Sequence, residues 1–385
     1  MVLILNNARL PVRKFATPEI IFGSGSIELV GQHASNLSHD RVLIVSDPGV
    51  RDAGWVRIVE NSLEQSGLEH TSFDQVKINP RIENVEEGVK HYLDENCDLI
   101  VAVGGGSPID CAKCIGVMAT NEGSIEELEG VDEIQIPGPP LLCVPTTAGS
   151  SADISPFAII TDREAGRKMV IISRLLVPDL SIVDPDTTTT MDSGLTVSSG
   201  IDALAHALES YVSTASSPLT DMFALEAAKI ITNALPRVHL NPLDMRARER
   251  MMLASLYAGL SFSNASLGIL HAMSHGVGGM YDTTHGVAAC ALLEIIIEFN
   301  YPCVKEKYIE LENAMFKTTG GMETLISHIN RLLAEVGADQ KLRGCGLRKE
   351  DILPITEHVI QDPCLATNPR PARRIDIEEL YERAL

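Results

Sequence analysis

Aromatic residues are scarce in this chain: Phe, Trp and Tyr together make up 4% of it, with a single tryptophan. Its cores must therefore be built from Ala, Leu, Ile and Val. Positive charge is also short, 31 Lys and Arg against 52 Asp and Glu, for a formal net charge of −21. Such a surface repels phosphate backbones and anionic headgroups, which argues against nucleic acid or a membrane as partner. No stretch approaches the roughly 20 apolar residues of a membrane span. The nearest, ACALLEIIIEFN at 289–300, contains two glutamates and reads as a buried core helix. No cationic segment followed by an apolar run opens the chain, because ARLPVRK interrupts MVLIL, so no export signal is expected. The eight cysteines do not form a disulfide framework in a chain of this length. Cys111 and Cys114 make a C-x-x-C pair, but it lies in an apparent helix with no second pair, and it reads as two small helical residues. A reducing cytoplasm fits all of these absences.

What is present is a globular composition, 45% hydrophobic and 22% charged, in 385 residues, enough for two domains. The first half alternates strand and helix: IIFGSG, RVLIVSD, HTSFDQVKINP and DLIVAVGGGS read as strands, with SIELVGQHAS, WVRIVENSLEQSG and ENVEEGVKHYLDEN as helices. Continuous apolar strands between amphipathic helices indicate a parallel sheet covered on both faces. That is the doubly wound, Rossmann-like α/β plan. FAIITDREAGRKMVIIS reads as a strand pair around a polar turn and LSIVDPD as one last strand, after which nearly everything is helical. The expected division is a dinucleotide-binding α/β domain over 1–190 and an all-α, metal-binding and catalytic domain over 191–385.

VAVGGGSPID carries a strand into a helix through Gly104, Gly105 and Gly106. Glycines permit a tight turn and close approach of a ligand, while Ser107 suits the N-cap and Pro108 the first helical position. The free amides of that helix end suit a pyrophosphate. The spacing is not G-x-G-x-x-G, and a ligand-free turn explains this stretch about equally well. Two further strand ends favour a nucleotide. Asp47, in VSDPGV, can accept from a ribose hydroxyl and would repel a 2′-phosphate, favouring NAD over NADP. CVPTTAGSSADIS supplies Thr146, Thr147, Ser150 and Ser151 as donors. Strand ends of a parallel sheet share one edge, so the three stretches can face one crevice.

The later segment LHAMSHGVGGMYDTTHG holds His271, His275 and His285. The first two are four apart and share a helix face, as do Asp202 and His206 in GIDALAHALESY. A carboxylate in so apolar a helix is costly without a partner. One i, i+4 histidine pair alone would read as a polar helix face. Two such pairs in apolar helices, with His285 beyond, read instead as ligands for Fe²⁺ or Zn²⁺, a Lewis acid for an alcohol or carbonyl oxygen. Four positions and five candidates leave one histidine over.

With these motifs in this order, the chain resembles the iron-containing (group III) alcohol dehydrogenases of the dehydroquinate synthase-like superfamily. The resemblance runs nearly end to end, through IIFGSGS, LIVSDPGV, GGGSPID, VPTTAG, FAIITD, GIDALAHALESY, HAMSHGVGGMYDTTHG and the closing NPR. It implies that Asp202, His206, His271 and His285 bind the metal, and that His275 lies near nicotinamide and substrate as a catalytic residue on a proton path. It implies cofactor contacts from Asp47, Asn79, Gly104, Gly105, Gly106, Ser107, Thr146, Thr147 and Lys168. Two departures stand out. Ser150-Ser151-Ala152-Asp153 stands where the family often has Thr-Gly-Ser-Glu, and Thr284 replaces the usual proline before HG. The expected activity is hydride transfer between a small alcohol or aldehyde and NAD, with Fe²⁺ or Zn²⁺ polarising the oxygen, in a homo-oligomer. Two rivals are a dehydroquinate synthase-like lyase or cyclase using NAD transiently and a non-catalytic NAD- or metal-binding regulator. The first would need several cleft cations, where these stretches offer only Arg167, Lys168 and Arg174.

Overall fold

The computed structural model describes residues 13–38, 40–338 and 341–385; the opening MVLIL lies outside them. Among the described residues nine strands are formed: β1 (Glu19–Phe22), β2 (Arg41–Val45), β3 (Glu69–Phe73), β4 (Leu99–Gly104), β5 (Gly130–Val131), β6 (Leu141–Pro145), β7 (Phe157–Asp162), β8 (Arg167–Ile172) and β9 (Leu180–Val183). Six of them make a wholly parallel sheet in the order β1-β9-β6-β4-β2-β3. Alternate residues of its central strands feed different cores. Val42 and Ile44 of β2 join Leu99, Val101 and Val103 of β4 on one face, while Leu43 and Val45 join Ile100 and Ala102 on the other. Helices cover both faces: α1 (Val30–Ala34) and α3 (Trp55–Gln65) supply Val30, Val56, Val59 and Leu63 to the first. To the second, α4 (Ile82–Asp94) and α5 (Gly106–Met118) supply Val85, Tyr92, Ile109 and Ile115. A strand buried on both faces has no polar alternation, which is why these runs are continuous in sequence. Cys111 and Cys114 are buried on α5 as free thiols that burial pushes up out of the reactive range, as two small helical residues would be.

β7 and β8 form the antiparallel hairpin read from FAIITDREAGRKMVIIS, extended by β5 into a second, three-stranded sheet. The strand expected over 70–80 is shorter than its apolar pattern. It ends at Phe73, where β2, its only neighbour among the described residues, ends at Val45 and the chain turns into the short helix α2 (Pro48–Asp52). Residues 74–80 become a loop, and Asn79 takes φ +55 within it.

From residue 193 the described chain is helical: α6 (Ser193–Val212), α7 (Pro218–Leu240), α8 (Met245–Ala265), α9 (Ile269–Tyr281), α10 (His285–Asn300), α11 (Lys305–Phe316), α12 (Met322–Glu335), α13 (Ile352–Val359) and α14 (Arg374–Ala384). Asp192 caps α6 by accepting from the Leu195 amide, and Ser217 with Thr220 forms a capping box on α7. α8 and α9 are bent by 101° at the intervening break. Among the described residues, His285–Cys303 is long and apolar enough to cross a membrane, yet 67% of its apolar window is buried inside the protein, as the sequence reading of 289–300 expects.

The sheet fixes where a ligand can sit. From β2 the chain proceeds outward to β3, whereas from β4 it proceeds the other way to β6 and β9. The strand order therefore reverses between β2 and β4. Crevices in open α/β sheets lie outside the carboxyl ends at such a switch point, which here are Asp47 and the glycine loop.

Candidate active site

A cavity of about 460 Å³ opens at that edge and runs to the faces of α6, α9 and α10. Asp47, Gly105, Gly106, Ser107, Thr146 and Thr147 line it together, so the three strand ends do share one crevice. The details of the loop differ from the sequence reading. α5 starts at Gly106 with Gly105 as N-cap, so Ser107 lies in the first turn, where its Oγ accepts from the Asn79 amide at 3.2 Å. Gly104 stands behind the wall. Its φ of +153° and a Cβ that would come within 2.6 Å of Pro108 Cγ make it a turn-forming glycine. Asp47 caps α2, accepting from the Val50 amide at 2.9 Å, and burial raises its carboxyl against that bond. Of the SSAD departure, Ser151 Oγ donates to the Ser255 carbonyl at 2.7 Å and Asp153 accepts from Ser181 Oγ at 2.6 Å. Both are fastened into the interior, and Ser150 alone of the hydroxyl pair lines the cavity.

Asn79 and Lys168, 89 residues apart, meet across the crevice wall: Lys168 Nζ donates to Asn79 Oδ1 at 2.7 Å. Burial lowers the Lys168 ammonium to about 8 against the pull of Asp282, Asp110 and Asp202. Among the described lining residues it is the one Lys or Arg. Arg167 turns away to pair with Glu129 and Asp162.

At the inner end, helical spacing does what the sequence pattern requires. Asp202, His206 and also Glu209 stand at i, i+4 and i+7 on one face of α6. Ligand atoms of Asp202, His206 and His271 lie within 4.8 Å of one another. Each histidine is orientated by a fixed acceptor. His206 Nδ1 is 3.2 Å from the Gly149 carbonyl and His271 Nδ1 is 2.6 Å from Glu209 Oε2. Neither acceptor can donate, so the proton is assigned to Nδ1 and Nε2 is left as a lone-pair donor. Glu209 also accepts from the amides of Gly268 and Leu270, which ties the start of α9 to α6.

Electrostatics agree with this arrangement. Burial would neutralise Asp202, but His206 and His271 outweigh it and hold the carboxyl below its usual value. Burial lowers His206 to about 4 and, with Lys168 nearby, sends His285 well below its ordinary range. His271 is opposite. Burial would lower it, yet the carboxylates of Asp202 and Glu209 beside it raise it to about 9. His271 Nε2 lies 3.7 Å from Asp202 Oδ1. Asp202 Oδ1, His271 Nε2 and His285 Nε2 are buried with no hydrogen-bond partner. Such orphans are rare and call for a further partner, and this oxygen and nitrogen set is one a divalent ion satisfies.

His285 stands slightly apart, its ring centroid 6.4 Å from His271 and 5.0 Å from His275. His275 is not in the tight trio. Its Nδ1 lies 2.6 Å from Asp362 Oδ2, which leaves its Nε2 free of that carboxylate. Glu209, Asp362 and Phe262, whose ring stacks on His206 at 4.4 Å, escaped the sequence reading. Glu209 carried a signal in its i+3 spacing from His206; Asp362 carried none.

A doubly wound sheet whose loop amides face a buried carboxylate–imidazole cluster is the arrangement of a metal-dependent dehydrogenase. Comparison with known proteins makes the class specific. Residues 17–185 match the model of the iron-containing alcohol dehydrogenases and residues 196–385 that of the Fe-containing alcohol dehydrogenase family, C-terminal. The chain is 36% identical over 371 residues to the 1,3-propanediol dehydrogenase of Citrobacter freundii, covering 94% of this chain and 96% of that protein. It is 33% identical to the NAD-dependent methanol dehydrogenase of Bacillus methanolicus, covering 96% and 99%. The crystal structure of a 1,3-propanediol oxidoreductase superposes with a TM-score of 0.93 at 35% identity, covering 97% of this chain and 100% of that one. The chain belongs to the iron-containing alcohol dehydrogenase family, and its activity is that of a metal-dependent alcohol dehydrogenase or aldehyde reductase.

Proposed function

We propose that this protein interconverts a small alcohol and its aldehyde with NAD(H), using Fe²⁺ held by Asp202, His206, His271 and His285, with Zn²⁺ as the alternative ion. The observation that carries the reading is the set of orphaned donors, Asp202 Oδ1, His271 Nε2 and His285 Nε2, buried at the end of a crevice shaped for a dinucleotide. When bound, the ion supplies a Lewis acid for the substrate oxygen and the nicotinamide supplies or accepts hydride. The chain's own residues do the rest. The amides at Gly105, Gly106 and Ser107 receive the pyrophosphate at the start of α5. Asp47 takes the ribose hydroxyls, and the absence of any arginine among the described lining residues leaves a 2′-phosphate unmet, which favours NAD over NADP. Thr146, Thr147, Asn79 and Lys168 complete the cofactor wall, with Gly104 shaping the turn. His275, its Nδ1–H committed to Asp362, presents Nε2 for the proton.

We also divide the chain into domains at 190/191, a reading supported by the change to continuous helix at Ser193 and by family matches that end at 185 and begin at 196. A cytoplasmic homo-oligomer acting on a small-molecule alcohol, and on neither nucleic acid nor membrane, fits eight free cysteines and a net charge of −21.

The test is anaerobic. Protein stripped of metal and reloaded with Fe²⁺ or Zn²⁺ in separate samples should consume NADH, faster than NADPH, with a panel of short aldehydes. Metal and NAD bound without consumption of either nucleotide would transfer the reading to a lyase or cyclase that uses NAD transiently. Lys168 as the single described cleft lysine or arginine argues against that outcome, since a multiply anionic substrate needs several.

A further inference from the structure

His285 is the one candidate ligand delivered by a turn. Residues 282–284 connect α9 to α10, and His285 opens the latter helix. On one side the turn is seated by packing: a Cβ on Gly286 would overlap the backbone carbonyl of Ser198 on α6, so the start of α10 lies directly on the helix that carries Asp202 and His206. The other side is held from a distance. Asp282, at the end of α9 with φ +57°, accepts from Asn79 Nδ2 twice, through its backbone oxygen and through Oδ1, both at 2.9 Å. Its Oδ2 faces Arg81 at 3.6 Å and Arg163 at 3.8 Å. Asn79 is itself fixed by Lys168 and by Ser107 of the glycine loop. A continuous chain of polar contacts thus runs from the nucleotide loop to the turn in front of His285.

We propose that Asp282 is a positioning residue for His285: by anchoring the turn to Asn79, it makes retention of the metal depend on a contact made 203 residues away, in the nucleotide wall. The proposal rests on His285 being a metal ligand. It also accounts for the missing proline. Thr284 already adopts φ −74°, the value a proline ring would impose, and a turn held at Asp282 keeps that conformation without the ring. Asp tolerates the left-handed conformation that position 282 requires, and glycine does so without strain.

The experiment measures Zn²⁺ affinity of the full chain by competition with a chromophoric chelator, without nucleotide. Asp282→Gly and Asn79→Ala should each weaken Zn²⁺ binding about tenfold, the lower end for residues that hold a ligand in place. Because both cut the same link, the double variant should be no weaker than either alone. Asp282→Asn, which keeps an acceptor for Asn79 Nδ2, should stay close to wild type. Thr284→Pro should restore most of the affinity lost in Asp282→Gly. Unchanged Zn²⁺ affinity in Asn79→Ala, or additive losses in the double variant, would overturn the proposal while leaving the metal site intact. A wild-type chain that takes up no Zn²⁺ would instead overturn the metal reading on which it depends. Should Asp282→Gly fail to fold, Asn79→Ala against Asp282→Asn still decides the matter.

Discussion

The two walls of the crevice are made by opposite means. On the sheet side the part unlike the other wall is backbone: amides at the start of α5, freed by glycines and placed by the end of a parallel strand. On the helical side the groups offered to a ligand are side chains, brought from α6, α9 and α10 and aimed by acceptors elsewhere in the fold. A backbone wall needs only that bulky atoms stay away. A side-chain wall needs each imidazole in the right tautomer, and so needs a second layer of partners. The first tolerates much change of sequence outside its glycines; the second fails at single atoms.

Breaking the side-chain wall should have the largest effect. His271→Ala removes the residue that joins Asp202 to Glu209, and metal content and turnover should fall together, turnover on the order of 10²–10³-fold or more. Metal analysis alongside steady-state rates checks this, and full activity in a metal-free variant would sink the proposed mechanism.

The sheet side carries a carboxyl that tests its interior. Asp110 lines the crevice, and burial raises it to about 6 against Lys113, the Ile159 amide and Lys168. A carboxyl raised in the folded state stabilises the fold below its unfolded value of 3.8, and that contribution is lost as pH rises through about 6. The wild-type protein should therefore lose up to about 3 kcal/mol from this group over that window. Denaturant titrations of the metal-free Asp110→Asn variant should show that part of the slope removed.

Glu209→Gln keeps the size of the side chain but removes the charge that holds His271. Metal affinity should fall about 10–100-fold, with nucleotide affinity little changed. If instead NADH binding collapses while metal stays, the division of labour between the walls is wrong. The converse variant, Gly104→Ala, forces a Cβ against Pro108 and should weaken NADH binding by roughly tenfold, a strain of about 1–3 kcal/mol partly relieved by loop movement. Its metal content should be unchanged. The smallest effect on binding should come from His275→Asn, which leaves metal and nucleotide affinities near wild type and alters the turnover number and its pH profile.

How much of this was legible in the sequence follows the same division. The parallel sheet was readable because strands buried on both faces must be continuous apolar runs, as VLIV and LIVAV are. The glycine loop was readable as a strand-to-helix turn, but its register was not. Ser107 has the chemistry of an N-cap, yet the helix begins two residues earlier because Gly105 can take that extended position and Ser107 is engaged by Asn79. The strand drawn through 74–80 failed because an edge strand lasts only as long as its single partner, and β2 ends at Val45.

The amino-acid sequence by itself determined which side chains share a helix face, since Asp202 with His206 and His271 with His275 are set by a period of 3.6 residues. It also determined that the glycine run must be a turn at a strand end. Only the tertiary structure decided which histidine is tied to Asp362 and which is left with a bare Nε2 beside Asp202, and that Glu209 fixes the latter while Asp282 is bonded to Asn79. Those contacts span 61 to 203 residues. The physical reason is that helical periodicity is local, whereas the partner of a buried polar atom is whatever the folded chain brings to it.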